Sequence, residues 1–518
     1  DFLVCLLLTA ATRISRRVHW ELSQSRSRST TEGRTIIYGA GDAGAAILRE
    51  IRQNASLPYH AVGFLDDDPA KLGSSIHGVK VLGTGNDLTA MARKYMAHTV
   101  LVAMPNASGQ KMTEILQACH EAGVSFKTIP SLSRLLANVN LTSQIRDVAV
   151  EDLLGRSPVV LQQELIEARI SGRTVMVTGA AGSIGSELCR QIARFAPAAI
   201  IGFENSETGL FHLENELRTS FPEVAFYPEI GSIQNLQRVE EVIRHHSPAM
   251  VFHAAAYKHV PMMEAHVFEA VENNVFGTYN VASAAVRLGV GEFVLISSDK
   301  AVRPTNIMGA TKRIAEFIIL SLARSDTRFV AVRFGNVLGS NGSVVPRFKQ
   351  QILAGGPVTV THPEMQRFFM TIPEASQLVL QASGMGRGGE VFVLDMGDPV
   401  RIVDLARNLI LLSGLRPNED IRIEFTGMRP GEKLYEELCH LEEGTVATPH
   451  EKVRVFAAHA IRQPDIKACL TALREGCEAR DAATVVLALK KAIPDYTPSA
   501  HVLARAEASL GHAAGAHD

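Results

Sequence analysis

The sequence is poor in aromatic residues and in net charge, and each shortage argues against a class of function. Aromatic residues make up 6% of the chain, with a single tryptophan, and the formal net charge of the 518 residues is −2. Because no run of Arg and Lys with interleaved aromatic residues appears outside the amino terminus, we expect no nucleic-acid binding. The aliphatic, glycine-rich composition instead favours alternating strands and helices, and the chain is too long for one hydrophobic core.

Cysteine and histidine lack the spacing that a metal site or a disulfide framework requires. The six cysteines include no CxxC pair, and no two histidines are four residues apart. We therefore predict reduced thiols in a cytosolic environment and no metal site. His245, His246, His253 and His259 are interpreted as surface or packing residues.

The amino terminus has an apolar stretch from Phe2 to Ala11, followed at once by arginines. A signal peptide carries its positive charge before the apolar stretch, and this stretch is too short to span a bilayer. An apolar end followed by arginines is typical of the cytoplasmic exit of a transmembrane helix. We interpret residues 1–33 as the remnant of a membrane anchor and a linker. An amphipathic or disordered leader is the alternative.

A first nucleotide-binding pattern follows the linker. A short apolar strand leads into a Gly39-x-Gly41-x-x-Gly44 turn and a helix, and a second strand ends in acids around Asp66. This order matches the dinucleotide fingerprint, in which the helix amino terminus holds phosphate and a carboxylate binds a ribose. No catalytic cluster follows it. For residues 34–135, ligand binding and a purely structural Rossmann-like domain therefore both stay open.

A second pattern of the same kind follows about 140 residues later and contains the turn Gly179-x-x-Gly182-x-x-Gly185. The glycines allow backbone amides to approach a pyrophosphate at the helix amino terminus. The next strand ends at Glu204, whose carboxylate is placed to accept hydrogen bonds from ribose hydroxyls. Because a carboxylate repels a 2′-phosphate, the pattern favours NAD over NADP. Small residues at the end of a later strand, at Ala254, leave space for a flat cofactor.

The most informative run is SSDKAVRPTNIMGATK. Extended NAD-dependent sugar-nucleotide enzymes place a catalytic Tyr four residues before a Lys, whereas here Met308 stands four residues before Lys312. A thioether has no proton to exchange, so another group must do the acid–base work. Ser298, Asp299 and Lys300 follow the carboxyl end of an apolar strand and are the candidates.

Six motifs together resemble a known family. They are TGAAGSIGSE, HAAAYKHVPMME, SSDKAVRPTNIMGATKR, RFGNVLGSNGSVVPRF, HPEMQRFFMTIPEA and MRPGEKLYEEL. The chain resembles the membrane-anchored UDP-N-acetylglucosamine 4,6-dehydratases of the polysaccharide biosynthesis (nucleoside-diphosphate-sugar epimerase/dehydratase) family, in the extended short-chain dehydrogenase/reductase superfamily. Members of this type carry Met in place of the Tyr, so Met308 supports the resemblance.

The resemblance implies an α/β fold with two tandem Rossmann-like doubly wound parallel sheets, the second with a smaller α/β substrate-binding lobe. The catalytic domain is expected over residues 172–495, after a connector over residues 136–171. Helices after about Pro464 are expected to be peripheral, and residues 496–518 to be a disordered tail.

The resemblance also implies roles for individual residues. Asp299 is the acid that protonates the departing C6 hydroxyl, Lys300 is the base at C5, and Ser298 hydrogen-bonds the C4 oxygen. Lys312 binds the nicotinamide ribose and helps to remove the C4 hydroxyl proton. These roles require a protonated Asp299 and a neutral Lys300. The expected NAD-binding residues are Gly179, Gly182, Ser183, Ile184, Gly185, Glu204, Ala254, Ala255 and Lys312, and the expected substrate-binding residues are Lys258, Asn336, Arg367, Arg429 and Glu432.

The implied reaction is NAD-dependent 4,6-dehydration of UDP-N-acetylglucosamine to a UDP-4-keto-6-deoxy-N-acetylhexosamine, for surface polysaccharide or glycan biosynthesis. The implied setting is the cytoplasmic face of the inner membrane, with the chain as a homo-oligomer. A C5-inverting dehydratase, a C4-epimerase and a catalytically silent NAD-bound scaffold are the alternatives. In one departure, Ser232 stands where this family usually has an Asp facing adenine, which predicts a weaker adenine contact.

Overall fold

Two compact units make up the chain, residues 1–155 (unit 1) and residues 156–518 (unit 2). The computed structural model describes residues 33–54, 57–104, 107–129, 145–156, 159–323, 325–438, 444–456, 464–504 and 506. The predicted anchor remnant and linker lie outside the described residues, apart from Gly33. Within the described ranges, no helix is long and apolar enough to cross a membrane.

Unit 1 is a doubly wound sheet. Its strands and helices are β1 (Arg34–Tyr38), β2 (His60–Leu65), β3 (Ser75–Ile76), β4 (Val79–Gly83), β5 (Thr99–Val102), β6 (Ser125–Thr128), β7 (Arg146–Asp147), α1 (Asp42–Gln53), α2 (Leu88–Lys94) and α3 (Gly109–Ala122). In the described part of the unit, the strand order is β3-β4-β2-β1-β5-β6-β7. The five central strands are parallel, and β3 and β7 are antiparallel edges.

The strands of unit 2 are β8 (Thr174–Thr178), β9 (Ala199–Glu204), β10 (Ala225–Ile230), β11 (Met250–His253), β12 (Glu292–Ile296), β13 (Arg328–Arg333), β14 (Asn336–Val337), β15 (Val358–Val360), β16 (Gln366–Arg367), β17 (Phe369–Met370), β18 (Glu390–Leu394), β19 (Val400–Arg401), β20 (Ile423–Phe425), β21 (Thr445–Ala447) and β22 (Val453–Phe456). Its larger sheet has the order β10-β9-β8-β11-β12-β13-β18-β22-β21 across the described strands. The strands from β10 to β18 are parallel, and the chain order reverses between β8 and β11. Ligands bind at such a switch point in open α/β sheets.

The helices of unit 2 cover both faces of this sheet and extend beyond it. They are α4 (Gln163–Ile170), α5 (Ser183–Ala193), α6 (Glu207–Ser220), α7 (Leu236–His246), α8 (Val260–Ala265), α9 (Val267–Val271), α10 (Gly277–Arg287), α11 (Ile307–Leu322), α12 (Val344–Leu353), α13 (Ile372–Met385), α14 (Ile402–Leu412), α15 (Ile466–Glu478) and α16 (Ala482–Ala492). A π-helical turn, Glu272–Phe276, joins α9 to α10. The short strand pairs β14–β17, β15–β20 and β16–β19 form the smaller lobe. The predicted tandem of Rossmann-like sheets is therefore confirmed.

Helix α11 is central to the packing of unit 2. Ala315 and Ile319 face the sheet and pack with α7 and α10, while Ile314 and Ile318 pack with α8, α9, α15 and α16. Its first turn is capped by the side chain of Asn306, which accepts a hydrogen bond from the Gly309 amide at 2.7 Å. A helix buried on both sides holds its side chains in fixed positions, which suits a helix that carries candidate catalytic residues.

Three expectations about domain boundaries are wrong. The connector is not a separate element, because β7 pairs with β6 in unit 1 and α4 packs into the core of unit 2 through Ile166 and Ile170. Helices α15 and α16 are not peripheral, since they cover α9 and α11. The proposed tail begins too early, because Tyr496 and Val502 are fully buried in the same cluster. Residues 507–518 lie outside the described part of the chain.

Candidate active site

A cavity of about 890 Å³ opens in unit 2 at the carboxyl ends of β8, β11 and β12. Most of the predicted site residues line it. From the predicted sets these are Gly179, Gly182, Ser183, Ile184, Gly185, Ala254, Lys258, Ser298, Lys300, Met308, Lys312, Asn336, Arg367, Arg429 and Glu432. Asp299, Glu204 and Ala255 are not among the lining residues. The structure therefore joins the glycine turn, the SSDK run and the carboxyl-terminal motifs in one space.

The glycine turn between β8 and α5 is shaped for close backbone contact. Gly179 has φ +67°, and a Cβ there would lie 2.7 Å from the backbone of Ala255. A Cβ at Gly185 would lie 2.0 Å from the carbonyl oxygen of Gly179. At Gly182 the nearest atom to an added Cβ is that same oxygen at 3.2 Å, so the turn is open on its outer side. These residues fit a pyrophosphate held by the amino terminus of α5.

Glu204 ends β9 with its carboxylate fixed by backbone amides. Oε2 accepts from the Ala181 amide at 3.1 Å, and Oε1 accepts from the amides of Asn205 and Ser206 at 2.8 and 3.0 Å. No cation within the described residues is paired with it. At the position of the family's adenine-facing Asp, the Ser232 hydroxyl accepts from the Gln234 amide at 3.2 Å and so closes a local turn.

Asp299 and Lys300 form an ion pair immediately after β12. Asp299 Oδ1 accepts from Ser298 Oγ at 2.8 Å and from Lys300 Nζ at 3.0 Å. Asp299 is fully buried, and its Oδ2 has no hydrogen-bond partner and lies close to Gly335. Burial lowers the pKa of Lys300, but the carboxylates of Asp299 and Glu436 outweigh burial and raise it above its ordinary value. The raised pKa favours the charged ammonium of Lys300, whereas a base at C5 must be the neutral amine.

Glu436 is a member of this cluster that the sequence reasoning missed. Its side chain is 3% exposed and lines the cavity, with Oε1 3.7 Å from Lys300 Nζ and 3.9 Å from the nearest guanidinium nitrogen of Arg367. Oε2 is buried without a partner. Burial raises the pKa of the Glu436 carboxyl above its ordinary value. Nothing in the local pattern of MRPGEKLYEEL distinguishes this Glu from its neighbours.

The guanidinium of Arg367 is held by backbone carbonyl groups and is therefore not free to bind a ligand. Its guanidinium donates to the carbonyl oxygens of Gln366, Lys433 and Leu434 at 2.7, 2.8 and 3.1 Å. It thereby links β16 to the segment that carries Glu436. The structure assigns Arg367 a positioning contact, in addition to its place on the cavity wall.

Lys312 and Met308 lie on successive turns of α11, and both line the cavity. Lys312 Nζ donates to the carbonyl oxygen of Ile296 at 2.6 Å. Burial lowers the pKa of Lys312 to about 8, although the nearby Glu316 carboxylate opposes this shift. Glu316 is itself paired with the buried Arg333, with Nε to Oε1 at 2.6 Å. Lys312 can therefore change protonation near neutral pH.

The predicted substrate residues differ in their contacts. Arg429 Nε lies 2.9 Å from Glu432 Oε1, so these two form an ion pair at the cavity. Asn336 Oδ1 accepts from Lys300 Nζ at 3.1 Å, which connects a substrate candidate to the catalytic cluster. Lys258 is exposed and has no partner within the described residues, and partial desolvation lowers its pKa.

Glu264, a second residue that the sequence analysis missed, connects segments around the cavity by hydrogen bonds. Its fully buried carboxylate accepts from the Ile307 amide at 2.7 Å and from the Ser499 hydroxyl. Gly431 packs against it, since a Cβ on that glycine would lie 3.0 Å from Glu264 Cδ. On the other side of α11, Asn274 donates to Thr311 Oγ1 at 3.1 Å. This contact ties α11 to the π-helical turn that carries Asn274.

Comparisons with known proteins agree with this geometry. Residues 175–458 match the family described as "Polysaccharide biosynthesis protein", and residues 2–130 match one described as "CoA-binding domain". The "Probable polysaccharide biosynthesis protein EpsC" of Bacillus subtilis (strain 168) is 45% identical over 498 residues, which cover 93% of this chain and 83% of that protein. The "Capsular polysaccharide biosynthesis protein CapD" of Staphylococcus aureus is 49% identical over 423 residues, covering 81% and 70%.

Among solved structures, the X-ray structure of Pen from Bacillus thuringiensis is similar to this chain at 36% identity and a TM-score of 0.52. The likeness covers 57% of this chain and 90% of Pen. The match therefore extends over nearly all of a solved protein and a little more than half of this one.

Proposed function

The chain belongs to the polysaccharide biosynthesis family of nucleotide-sugar epimerases and dehydratases, and from that premise we propose that it catalyses 4,6-dehydration of UDP-N-acetylglucosamine. The product would be a UDP-4-keto-6-deoxy-N-acetylhexosamine. The observation that carries the proposal is the cavity that holds Lys300, Ser298 and Lys312 together, with Met308 at the position of a catalytic Tyr.

NAD is the proposed cofactor, and the residues present fit it. The Gly179–Gly185 turn and the amino terminus of α5 would hold the pyrophosphate, and Ala254 leaves room beside the turn. Glu204 ends β9 where a ribose would be bound. When bound, NAD supplies a reversible hydride acceptor, so that oxidation at C4 and reduction at C6 need no second redox reagent.

The residues of the chain divide the proton transfers between them. Lys312, with a pKa of about 8, is the proposed acceptor of the C4 hydroxyl proton, because Met308 has none to exchange. Ser298 would hydrogen-bond the C4 oxygen, and Lys300 is the proposed base at C5. Lys300 must first give up a proton, and Asp299 Oδ1 lies 3.0 Å from Nζ to take it.

Recognition of the nucleotide diphosphate is proposed for the carboxyl-terminal segment. Arg429 lies at the cavity and offers a charge-assisted fork to a diphosphate, and Glu432 can accept from ribose hydroxyls. Lys258 adds a cation without a described partner, and Asn336 reaches both the cavity and Lys300. Binding of the diphosphate to Arg429 and of a ribose hydroxyl to Glu432 would then replace the ion pair between these two side chains.

The test is proton NMR of the chain with UDP-N-acetylglucosamine in deuterated water. We expect a new C6 methyl signal with deuterium at C5, and ring couplings that report retention or inversion at C5. In Lys300→Ala turnover should fall by at least about 10³-fold, as expected for loss of a general base. Lys349→Ala, which alters an exposed lysine of α12, is the matched control and should match the wild type.

Other products would separate the alternatives. An inverted C4 without a methyl signal would indicate an epimerase. No change in any UDP-N-acetylhexosamine, with NAD bound to the chain, would contradict the dehydratase and favour a silent scaffold. Action at the cytoplasmic face of a membrane and self-association belong to the proposal as well; the membrane location is supported by the apolar stretch Phe2 to Ala11 and its following arginines.

A further inference from the structure

Residues 429–432 form a turn, the substrate turn, that carries two of the proposed substrate-binding side chains. The Arg429 amide donates to Glu432 Oε2 at 3.0 Å, and the Glu432 amide donates to the Arg429 carbonyl oxygen at 3.2 Å. The two side chains are joined as well, and both line the cavity. Arg429 and Glu432 therefore form one unit, whose place at the cavity depends on how the turn is attached to its surroundings.

The chain on either side of the substrate turn is attached to the smaller lobe by hydrogen bonds. Before the turn, the Thr426 amide donates to the Val360 carbonyl oxygen at 3.0 Å, next to the β15–β20 pair. After it, the Lys433 carbonyl oxygen accepts from the Arg367 guanidinium at 2.8 Å. Residues 427–432 lie between these two attachments, so the position of the turn itself requires a further contact.

Asn306, the residue that caps α11, supplies this contact. Its Nδ2 donates to the Gly431 carbonyl oxygen at 2.9 Å, while its Oδ1 accepts from the Gly309 amide at 2.7 Å. Among the described residues, the hydrogen bonds that join residues 427–432 to other segments both end at that carbonyl oxygen, and the second is a longer one from Thr305 Oγ1 at 3.4 Å. One side-chain amide therefore connects the start of α11 to the substrate turn.

Packing around Gly431 reinforces the connection. Gly431 has φ +77°, a backbone conformation that favours glycine. A Cβ at this position would lie 2.8 Å from Asn306 Cβ and 3.0 Å from Glu264 Cδ. Asn306 is itself 2% exposed, and Glu264 is fully buried. The substrate turn is thus held against the start of α11 by close packing as well as by a hydrogen bond.

Resting on the proposed recognition of a nucleotide diphosphate by the substrate turn, we propose that Asn306 is a positioning residue that sets the affinity for that diphosphate through Gly431. The two ends of its side-chain amide have separate roles, because Oδ1 caps the helix and Nδ2 holds the turn. The proposed base Lys300 is held by contacts of its own. Loss of the Nδ2 contact should therefore weaken binding and leave the chemical step intact.

The test measures UDP binding by calorimetry, together with KM and kcat for UDP-N-acetylglucosamine. UDP binding needs no turnover, so its outcome is separate from that of the dehydratase reaction. Asn306→Ser keeps a side-chain oxygen that can cap α11 and removes the amide donor. We expect the Kd for UDP and the KM to rise about tenfold, the size expected for one lost hydrogen bond, with kcat within about threefold of the wild type.

Gly431→Ala disturbs the same contact from the other side and leaves the sequence of α11 unchanged. The added Cβ should push the substrate turn away from Asn306 and weaken UDP binding at least as much as Asn306→Ser does. Should Asn306→Ser fail to fold, Gly431→Ala decides the same question. Asn235→Ser is the matched control, since this exposed Asn caps α7 by accepting from the Arg238 amide at 3.1 Å, and it should bind UDP as the wild type does.

Arg429→Met separates this inference from the recognition on which it rests. Full UDP affinity in Asn306→Ser, when Arg429→Met has lost it, would overturn the positioning role. A fall in kcat with unchanged UDP affinity would overturn it too, because the contact would then act through α11. If Arg429→Met binds UDP as the wild type does, the proposed recognition by the substrate turn fails, and this inference fails with it.

Discussion

Units 1 and 2 contain the same glycine-turn geometry and yet differ in what surrounds it. In both, the first glycine has a positive φ, +108° at Gly39 and +67° at Gly179. In both, a Cβ on the last glycine of the turn, Gly44 or Gly185, would lie 2.0 Å from the carbonyl oxygen of the first. The close approach of helix to strand is thus a shared property of the two turns.

The two units differ in whether the acids at their strand ends are paired with cations. In unit 1, Asp66 accepts from the Ala40 amide at 2.7 Å, as Glu204 accepts from Ala181, but Asp66 also pairs with Lys71 at 3.1 Å. Its neighbour Asp67 pairs with Lys111 at 2.8 Å. The acids of unit 1 therefore already have cations from their own unit.

The comparison shows that a glycine turn specifies a backbone shape and not an activity. In unit 2, Glu204 has no described cation, and Lys300, Lys312 and Glu436 all face one cavity. What distinguishes the candidate enzyme unit is incompletely paired charge around an open space, which a ligand can complete.

Adding a methyl group to the last glycine of each turn tests whether the two turns differ in their importance for turnover. Gly185→Ala should force the turn of unit 2 apart and lower turnover by about 10²-fold, as a misplaced reacting group does. Gly44→Ala should destabilise unit 1 by roughly 1–3 kcal/mol through overpacking and leave turnover unchanged. Methyl formation by NMR and calorimetry of thermal unfolding measure the two effects. A loss of turnover in Gly44→Ala would show that unit 1 takes part in catalysis.

A second prediction compares the lysines of the two units by pH. Burial lowers the pKa of Lys312 from 10.5 to about 8, whereas Asp67 and Tyr38 outweigh burial and raise that of Lys111. Between about pH 8 and 10.5 the unfolded chain binds more protons at Lys312 than the folded chain does, so the free energy of unfolding rises with pH.

Relative to Lys312→Met, the wild type should therefore gain at most about 1.4 kcal/mol of stability per pH unit across that window. Lys111 has the opposite sign: its contribution is present below its unfolded pKa and is lost as pH rises through its folded pKa. Unfolding midpoints of Lys312→Met and Lys111→Met against pH measure both. Parallel curves for the two variants would contradict the difference between the units.

The smallest expected effect concerns the cation that neutralises Asp66. Lys71 is 38% exposed on its side chain, so Lys71→Met should destabilise unit 1 by at most about 1 kcal/mol and leave turnover unchanged. Lys80→Met, at an exposed lysine of the same unit, is the control. A change in the turnover of Lys71→Met would mean that the charge on Asp66 in unit 1 affects the reaction.

Local patterns predicted the parts of the site that lie close together in sequence. The apolar strand β12 and the SSDK run place Ser298 and Lys300 at a strand end, and the helical spacing places Met308 and Lys312 on one side of α11. These features depend on strand and helix periodicity, which a sequence displays directly. The tandem of glycine turns was predictable for the same reason.

The remaining parts of the site depend on contacts between segments that are far apart in the sequence. Glu436 meets Lys300 from 136 residues away, and Glu264 meets Ser499 from 235 residues away. The surroundings of Asp299 depend in the same way on Gly335, since a Cβ there would lie 3.2 Å from Asp299 Oδ2. No periodicity encodes such contacts, so Glu436 and Glu264 could not be placed at the site from the sequence.

The contact between Ser499 and Glu264 has a consequence for the order in which the protein is made. Glu264 holds the first amide of α11, and the Thr497 amide donates to the Pro304 carbonyl at 3.0 Å just before that helix. All of the cavity-lining residues precede this segment in the chain. Domains fold as they leave the ribosome. The contacts of Thr497 and Ser499 with the site can therefore form only after every reactive residue has been synthesised. A nascent chain that ends before Thr497 should therefore be inactive.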